Sequence, residues 1–138
     1  MTKESTDLLF KSYRKLFPPD EVVNDITKNL IGSFGFEVRE GWFNLLNELF
    51  VRMEKLQFED DPFYIVQVKE KFAGLRVYTT HGTDELYNLL EEYENLSYTI
   101  CENCGSQGKV TGQHWLVTLC DKCVKYREDE LMKMRITK

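Results

Sequence analysis

Cys101-Glu102-Asn103-Cys104 and Cys120-Asp121-Lys122-Cys123 are the two segments that decide the fold of this chain's C-terminal part. Each segment has two residues between its cysteines, and fifteen residues separate the two pairs. A two-residue spacer lets one tight turn direct both sulfur atoms at one point, and two such turns surround an ion with a tetrahedron of thiolates. The arrangement is typical of a zinc ribbon. We therefore predict that Cys101, Cys104, Cys120 and Cys123 bind a structural Zn²⁺ ion.

Two other interpretations of the cysteines stay open beside zinc. A pair of disulfides requires an oxidising compartment, but no apolar signal segment follows the first residues of the chain, Met1 to Thr6. A redox role for Cys120 and Cys123 would use a predicted helix N-terminus that favours the thiolate form. The second, matching pair of cysteines favours zinc over both interpretations.

The composition of the chain is that of about one globular domain. Its 138 residues are 42% hydrophobic and 13% aromatic, which is enough for a core that carries a zinc-stapled extension. No apolar run reaches the roughly 20 residues that span a bilayer, so we expect a soluble, cytoplasmic protein. The net charge of −5 counts against broad attraction to nucleic acid, although a local basic surface can still bind it.

The spacing of apolar residues predicts helices before a β-hairpin. A first helix, capped by Ser5 or Thr6, ends at Pro18-Pro19, and a second begins at Asp20. A short strand over 34–38 precedes the clearest helix, over 42–56, whose apolar residues recur at three- and four-residue steps. Residues 63–80 alternate as two strands, with a turn expected at Ala73-Gly74.

The C-terminal part is predicted to hold the ribbon between two helices. Thr83 caps the first of these helices, arms over 109–111 and 115–118 pair within the ribbon, and a charged helix over 121–134 follows. The predicted fold is therefore α+β, with helices packed on a β-hairpin or small antiparallel sheet. We divide it into a core domain over 1–97 and a zinc ribbon with its terminal helix over 98–138, packed together as one unit.

The hairpin supplies the first candidate contact surface. Alternation places five polar or aromatic side chains on one face, and these could bind a phosphate, a carboxylate-rich surface or a stacked base: Gln67, Lys69, Lys71, Arg76 and Tyr78. Ile65 lies in register with them, so that face is not wholly polar. The alternative is a solvated strand face whose long side chains only cover apolar surface.

The second candidate surface is acidic. Residues 83–102 contain six carboxylates and no basic residue: Asp84, Glu85, Glu91, Glu92, Glu94 and Glu102. Such a surface could mimic nucleic acid or dock on a basic partner, or it could be an ordinary solvated helix face. Catalysis has little support, because His81 and His114 lack a nucleophile or orienting partner and no catalytic motif is present. We assign no catalytic residues and expect no enzyme activity.

Four segments of the chain resemble a set of small, functionally uncharacterised zinc-ribbon proteins of phage and prophage genomes: Gly41–Leu46, Gln67–Tyr78, Ser97–Gly105 and Trp115–Cys120. The resemblance covers about residues 41–123. This chain has Ala73 where a second glycine is expected, and Cys123 where relatives often have histidine, which is also a good zinc ligand. The resemblance implies a phage setting, and therefore a host cytoplasm, but no mechanism.

These observations favour a zinc-stabilised protein-binding module, in a phage setting an inhibitor or modulator of a host protein. The acidic balance, the exposed aromatic residues and the lack of a catalytic set all fit this hypothesis. The alternative is a nucleic-acid-binding zinc ribbon, accessory to transcription or replication, that uses Lys69, Lys71, Arg76 and Lys109. A small enzyme is a third hypothesis, and it needs a ligand pocket that the sequence does not reveal.

Overall fold

The computed structural model describes residues 1–19 and 30–136. The described residues contain helices α1 (Lys3–Ser12), α2 (Leu30–Phe34), α3 (Phe43–Lys55), α4 (Asp84–Ser97) and α5 (Asp121–Ile136). They also contain strands β1 (Phe36–Glu37), β2 (Ile65–Lys71), β3 (Gly74–Thr79), β4 (Lys109–Thr111) and β5 (Val117–Leu119). Single turns of 3-10 helix lie at Arg14–Leu16 and Glu40–Trp42. The fold is α+β, as predicted.

Local hydrogen bonds explain where the helices begin. Helix α1 begins at Lys3 rather than after Ser5 or Thr6, because the hydroxyl of Thr2 accepts the Ser5 N–H at 3.2 Å. Thr83 caps α4 as predicted, and its hydroxyl accepts the Leu86 N–H at 3.2 Å. The start of the helix predicted at Asp20 lies outside the described residues. The description resumes at Leu30, where α2 begins.

The main sheet has the order β1-β2-β3 and is mixed rather than antiparallel. Strands β2 and β3 form the predicted antiparallel hairpin, with Val68 opposite Val77 and Lys69 opposite Arg76. Strand β1 pairs with β2 in the parallel direction, with Phe36 opposite Val68. The reason is the intervening helix α3, because a crossover helix carries the chain back to start the next strand in the same direction.

The core lies between the sheet and helices α3 and α4. Helix α3 buries one continuous stripe: Leu45, Leu46, Leu49, Phe50 and Met53. Val68 and Leu75 meet this stripe from the sheet, and Leu86, Leu89 and Tyr93 meet it from α4. Phe50 also contacts the rings of Phe17 and Phe36, so the residues before α3 complete the same core. A helix with such a stripe gains most of its stability from this packing.

Two details of the hairpin differ from the sequence expectation. The pairing register shifts between Ile65 and Gln67, so that Ile65 and Val68 are both fully buried and Ile65 leaves the polar face. The turn is formed by Phe72 and Ala73, one residue earlier than predicted. Both have positive φ, at 52° and 73°, which matches the right-handed twist of a two-residue hairpin turn.

Candidate metal centre and contact surfaces

The four cysteine sulfurs converge on one point. Their Sγ atoms all lie within 4.8 Å of one another, and the Sγ atoms of Cys104 and Cys120 are 3.6 Å apart. Four ligands arranged as a tetrahedron at a metal–sulfur distance of about 2.3 Å would be about 3.8 Å apart. All four cysteines are free thiols, so the disulfide interpretation does not fit this structure. Cys101, Cys104, Cys120 and Cys123 thus form a candidate metal site.

A turn and the start of a helix direct the four cysteine sulfur atoms toward one point. After Cys101 the chain turns, the Gly105 N–H donates to the carbonyl of Cys101 at 2.9 Å, and Gly105 adopts a φ of +82° that favours glycine. The second pair spans the start of α5, so Cys123 lies in the first helical turn. The β4–β5 hairpin, with Lys109 opposite Leu119, carries the chain from one pair to the other.

The thiols differ in their electrostatic surroundings. Hydrogen bonds from the side chain and backbone of Ser106 lower the pKa of Cys104 to about 6. Burial is the main cause that raises the pKa of Cys123 to about 12, although the Asn103 side chain donates to its sulfur at 3.8 Å. Four sulfurs suit a tetrahedral zinc or iron ion. A shell closed by four protein ligands holds a fold together and leaves no position for a reacting water.

The metal site is attached to the core through backbone contacts. The Gly41 N–H donates to the carbonyl of Glu102 at 2.7 Å, and a Cβ at Gly41 would lie 2.1 Å from the carbonyl oxygen of Cys101. The buried Trp42 donates its Nε1–H to the carbonyl of Ile100 at 2.9 Å. Hydrogen bonds therefore cross the boundary between residues 1–97 and 98–138, while the division into two domains stays a prediction.

The structure brings the predicted hairpin face together. Cross-strand pairs place Gln67 opposite Tyr78 and Lys69 opposite Arg76. Two members of this face already have partners inside the molecule. Arg76 forms an ion pair with Glu94 of α4 at 2.9 Å, and the Gln67 amide donates to Glu37 at 3.2 Å. The remaining three residues are Lys69, Lys71 and Tyr78.

The predicted acidic surface is divided by the fold. Glu92 is ion-paired with Arg52, and Glu94 is ion-paired with Arg76. Glu102 follows Cys101 directly in the chain and is only 4% exposed. Its carboxylate accepts the backbone N–H of Arg39 at 3.1 Å. Burial raises the pKa of this carboxyl group. Four of the six carboxylates remain exposed on the helix, and one of them, Glu92, is paired with Arg52: Asp84, Glu85, Glu91 and Glu92.

Sequence reasoning missed two exposed aromatic residues at one end of the molecule. Phe72, which the expected turn at Ala73-Gly74 would leave in the first strand, lies in the hairpin turn and is 68% exposed. Trp115, expected in a paired ribbon arm, precedes β5 in the loop after β4 and is 70% exposed. The two residues line the same cleft. The available signal was the lone bulky residue in the turn segment Lys71-Phe72-Ala73-Gly74.

The two histidines lie apart from the metal site's ligand set. His81 contacts the loop before β2, with its Nε2 3.1 Å from the carbonyl of Pro62 and 3.4 Å from Asp61. His114 lies beside Trp115 in the exposed ribbon loop. The four sulfurs are the group of metal-binding side chains found in the described part of the chain. Neither histidine therefore adds a ligand to the candidate metal site.

Neither the helices nor comparison with known proteins assigns this chain to a functional class. Over residues 1–19 and 30–136, no helix combines the length and apolar character needed to cross a bilayer. Comparisons with family models, with curated proteins and with solved structures find no match. The geometry of the metal site and of the exposed surfaces is therefore the basis on which a function can be assigned.

Proposed function

We propose that this chain is a zinc-stabilised protein-binding module. In this proposal Zn²⁺ occupies the site of Cys101, Cys104, Cys120 and Cys123 and has a structural role. The ion fixes the ribbon, and the ribbon in turn fixes the exposed residues that contact a partner. The spacing of the sulfur atoms and their closed arrangement support this role.

The observation that carries the proposal is the position of Phe72. Its backbone is in the left-handed region, which costs a bulky residue about 1–2 kcal/mol. Its side chain is mostly exposed and so returns little of this energy through burial. Strained residues of this kind cluster at functional sites. Phe72 is therefore better explained by contact with another molecule than by the stability of the fold.

The turn around Phe72 is held rigidly by its surroundings. The Ala73 N–H donates to the Glu70 carboxylate at 2.8 Å, and the buried Thr118 hydroxyl donates to the Ala73 carbonyl at 2.8 Å. Ala73 itself is fully buried. A side chain displayed on a pre-organised turn loses little conformational freedom when a partner binds.

Trp115 is displayed by a second tight loop. Gly112 has a φ of +99°, and a Cβ at this position would lie 2.2 Å from the carbonyl oxygen of Trp115. The loop therefore requires glycine at Gly112 to hold its shape. Exposed tryptophan is enriched among the residues that dominate binding energy in protein interfaces. We call the surface formed by Phe72, Trp115 and Leu116 the aromatic surface.

The resemblance to phage-type zinc-ribbon proteins supplies the setting of the proposal. A phage protein that acts on its host would work in the host cytoplasm, as an inhibitor or modulator of a host protein. The net charge of −5 fits a partner with a basic surface, because complementary charge accelerates encounter.

Affinity capture from a bacterial host lysate tests the proposal. We expect the tagged wild-type chain to retain one protein at near-stoichiometric amounts after nuclease treatment and at moderate salt. The double variant Phe72→Asn/Trp115→Ala should retain at least about tenfold less of it, because hot-spot aromatics carry most of the binding energy. Tyr126→Ala is the matched control, since Tyr126 is 63% exposed on α5 and is not among the residues that line the cleft between Phe72 and Trp115. Equal capture by the double variant would contradict the proposed contact surface.

Nucleic acid is the second candidate ligand, and one observation favours it. The register of the hairpin places Lys69 and Lys71 on the same face as Tyr78, and Lys71 lies over the Phe72 ring at 5.7 Å. Cations beside exposed rings can hold single-stranded nucleic acid. Retention of nucleic acid alone, with a steep loss as salt is raised, would favour this alternative and reject the protein-binding proposal.

A further inference from the structure

Trp115 and Glu70 form the common wall of two neighbouring clefts. The first cleft, of about 190 Å³, is lined by the three apolar side chains of the aromatic surface together with Glu70, Lys71 and His114. The second cleft, of about 320 Å³, lies between the ribbon and strand β1. A ligand that enters both clefts therefore meets the apolar side chains of Phe72 and Leu116 on one side of Trp115 and a group of three carboxylates on the other.

The second cleft contains more negative than positive groups. Three carboxylates line it, Glu37, Glu70 and Glu102, and Arg39 lies among them. The amino group of Met1 also lies at this cleft and donates to the carbonyl of Val38 at 2.6 Å. One carboxylate is thus left in excess of the two cations. A further cation is favoured there, whereas a phosphate group would be repelled.

The wall between the clefts suits a cation as well. The face of an indole ring attracts ammonium and guanidinium groups, with an energy of about 0.5–2 kcal/mol that depends on desolvation. Because Trp115 is 70% exposed, its ring is accessible to a side chain that passes from one cleft to the other. An arginine or lysine can contact an indole face with its stem and a carboxylate with its charged end.

We infer that the partner is a protein segment with a lysine or arginine next to an apolar side chain. The apolar side chain fills the cleft between Phe72, Trp115 and Leu116. The neighbouring cation passes the Trp115 ring and meets the carboxylates of Glu37 and Glu70. The inference rests on the proposed protein-binding function and adds the chemistry of the partner to it.

Selection from a surface-displayed library of random linear peptides tests this inference. The folded, zinc-loaded full chain is the target, beside the variants Glu37→Gln/Glu70→Gln, Trp115→Ala and the control Glu85→Gln/Glu91→Gln. Glutamine keeps a carbonyl oxygen for the hydrogen bonds that Glu70 accepts from Ala73 and Glu37 accepts from Gln67. Glu85 and Glu91 are exposed on α4, so their replacement removes the same charge outside the clefts.

Peptides enriched on the wild-type chain should carry lysine or arginine next to an aliphatic or aromatic residue. A synthetic peptide of that sequence should bind Glu37→Gln/Glu70→Gln at least about tenfold more weakly and the control variant equally well. Its binding to Trp115→Ala should be lost. Enriched peptides without a basic residue, or no enrichment over Trp115→Ala, would overturn the inference.

The result separates this inference from the function on which it rests. If the wild-type chain captures a protein through Phe72 and Trp115, and Glu37→Gln/Glu70→Gln captures it equally well, the inferred chemistry is wrong while the protein-binding function stands. If Phe72→Asn/Trp115→Ala also captures it unchanged, the proposed contact surface fails and the inference fails with it.

Discussion

At the scale of single residues, the backbone conformation of Phe72 and the hydrogen bonds of Glu40 both affect the stability of the fold. Phe72 occupies a backbone conformation that suits glycine or asparagine better than a bulky aromatic. Glu40 lies three positions before the start of α3 and connects the N-terminal helix to it, because its carboxylate accepts the Thr2 N–H at 2.6 Å and the Ser5 hydroxyl at 2.9 Å. Each residue leads to a prediction about stability.

Replacing Phe72 by asparagine should not destabilise the chain. Asparagine tolerates positive φ, and the lost side chain is mostly exposed, so the free energy of unfolding should stay equal or rise by up to about 1 kcal/mol. Urea denaturation monitored by circular dichroism measures this change. Phe63→Asn is the comparison, since Phe63 is 3% exposed and its replacement should lower the free energy of unfolding by more than about 3 kcal/mol. A large loss for Phe72→Asn would show that Phe72 serves the fold.

The lowered pKa of Glu40 leads us to expect that the stability of the chain depends on pH. The hydrogen bond from the Thr2 backbone is the first cause that lowers the pKa of Glu40 below its ordinary value of 4.5. A carboxyl group with a lowered folded-state pKa adds stability above its unfolded pKa, and that stability is lost as pH falls through the folded pKa. Glu40→Gln should therefore reduce stability at neutral pH by less than about 1 kcal/mol, because Glu40 is exposed.

The measurement for Glu40 is a set of thermal melts between neutral and acidic pH. The difference in melting temperature between wild type and Glu40→Gln should shrink as the pH falls below the pKa of a free carboxyl group. Glu91→Gln, on the exposed surface of α4, is the control. A difference that stays constant down to acidic pH would mean that the ionised form of Glu40 is not responsible.

At the scale of secondary-structure elements, α4 covers the free edge of the sheet. Strand β3 lies at that edge, and the Leu75 N–H, which points away from β2, donates to the hydroxyl of Ser97 at 2.9 Å. Ser97 is fully buried near the end of α4 and donates in turn to the carbonyl of Glu94. One side chain thus satisfies an edge N–H that would otherwise have no acceptor.

Ser97→Ala should destabilise the protein by about 1–3 kcal/mol, because it leaves the buried Leu75 N–H without a hydrogen-bond acceptor. Faster hydrogen exchange at the Leu75 amide and a lower urea midpoint are the measurements. Thr99→Ala is the matched control, since the Thr99 hydroxyl donates to the carbonyl of Leu96 at 2.7 Å but is exposed. Equal losses for the two variants would argue against the edge-covering role of Ser97.

At the scale of the whole molecule, the candidate metal site and the hairpin turn are mechanically linked. Thr118 of β5 donates to Ala73 in the turn, and Glu102, beside Cys101, accepts the N–H of Gly41 through its carbonyl. Loss of the metal should therefore affect the aromatic surface as well as the ribbon. In small metal sites the free energy of metal binding is also free energy of folding.

Cys104→Ser should lose the metal and unfold residues 98–136, while the buried core around Trp42 persists. Elemental analysis should fall from about one zinc ion per chain to a small fraction of that. Hydrogen exchange should lose protection over the ribbon and also at Ala73. Tyr126→Ala, which keeps all four sulfurs and replaces a side chain that is 63% exposed on α5, is the control. Full zinc content and unchanged exchange in Cys104→Ser would reject a structural metal site.

Periodicity and spacing predicted much of the fold. The stripe of α3, the cap at Thr83, the hairpin and the convergence of the four cysteines depend on contacts between residues close in sequence, so local patterns reveal them. The parallel pairing of β1 could not be predicted, because it depends on where α3 returns the chain. The same holds for Arg76 and Glu102, whose partners are 18 and 63 residues away.

Residue types at fixed short spacings were enough to predict the α+β class, the hairpin and the residues that can bind a metal. Which surfaces remain exposed depends instead on how the elements pack together. Packing paired Arg76 with Glu94, buried Glu102 and placed Phe72 beside Trp115, although 42 residues separate these two aromatics. Exposure depends on every element that packs nearby, and short-range patterns carry no information about those elements.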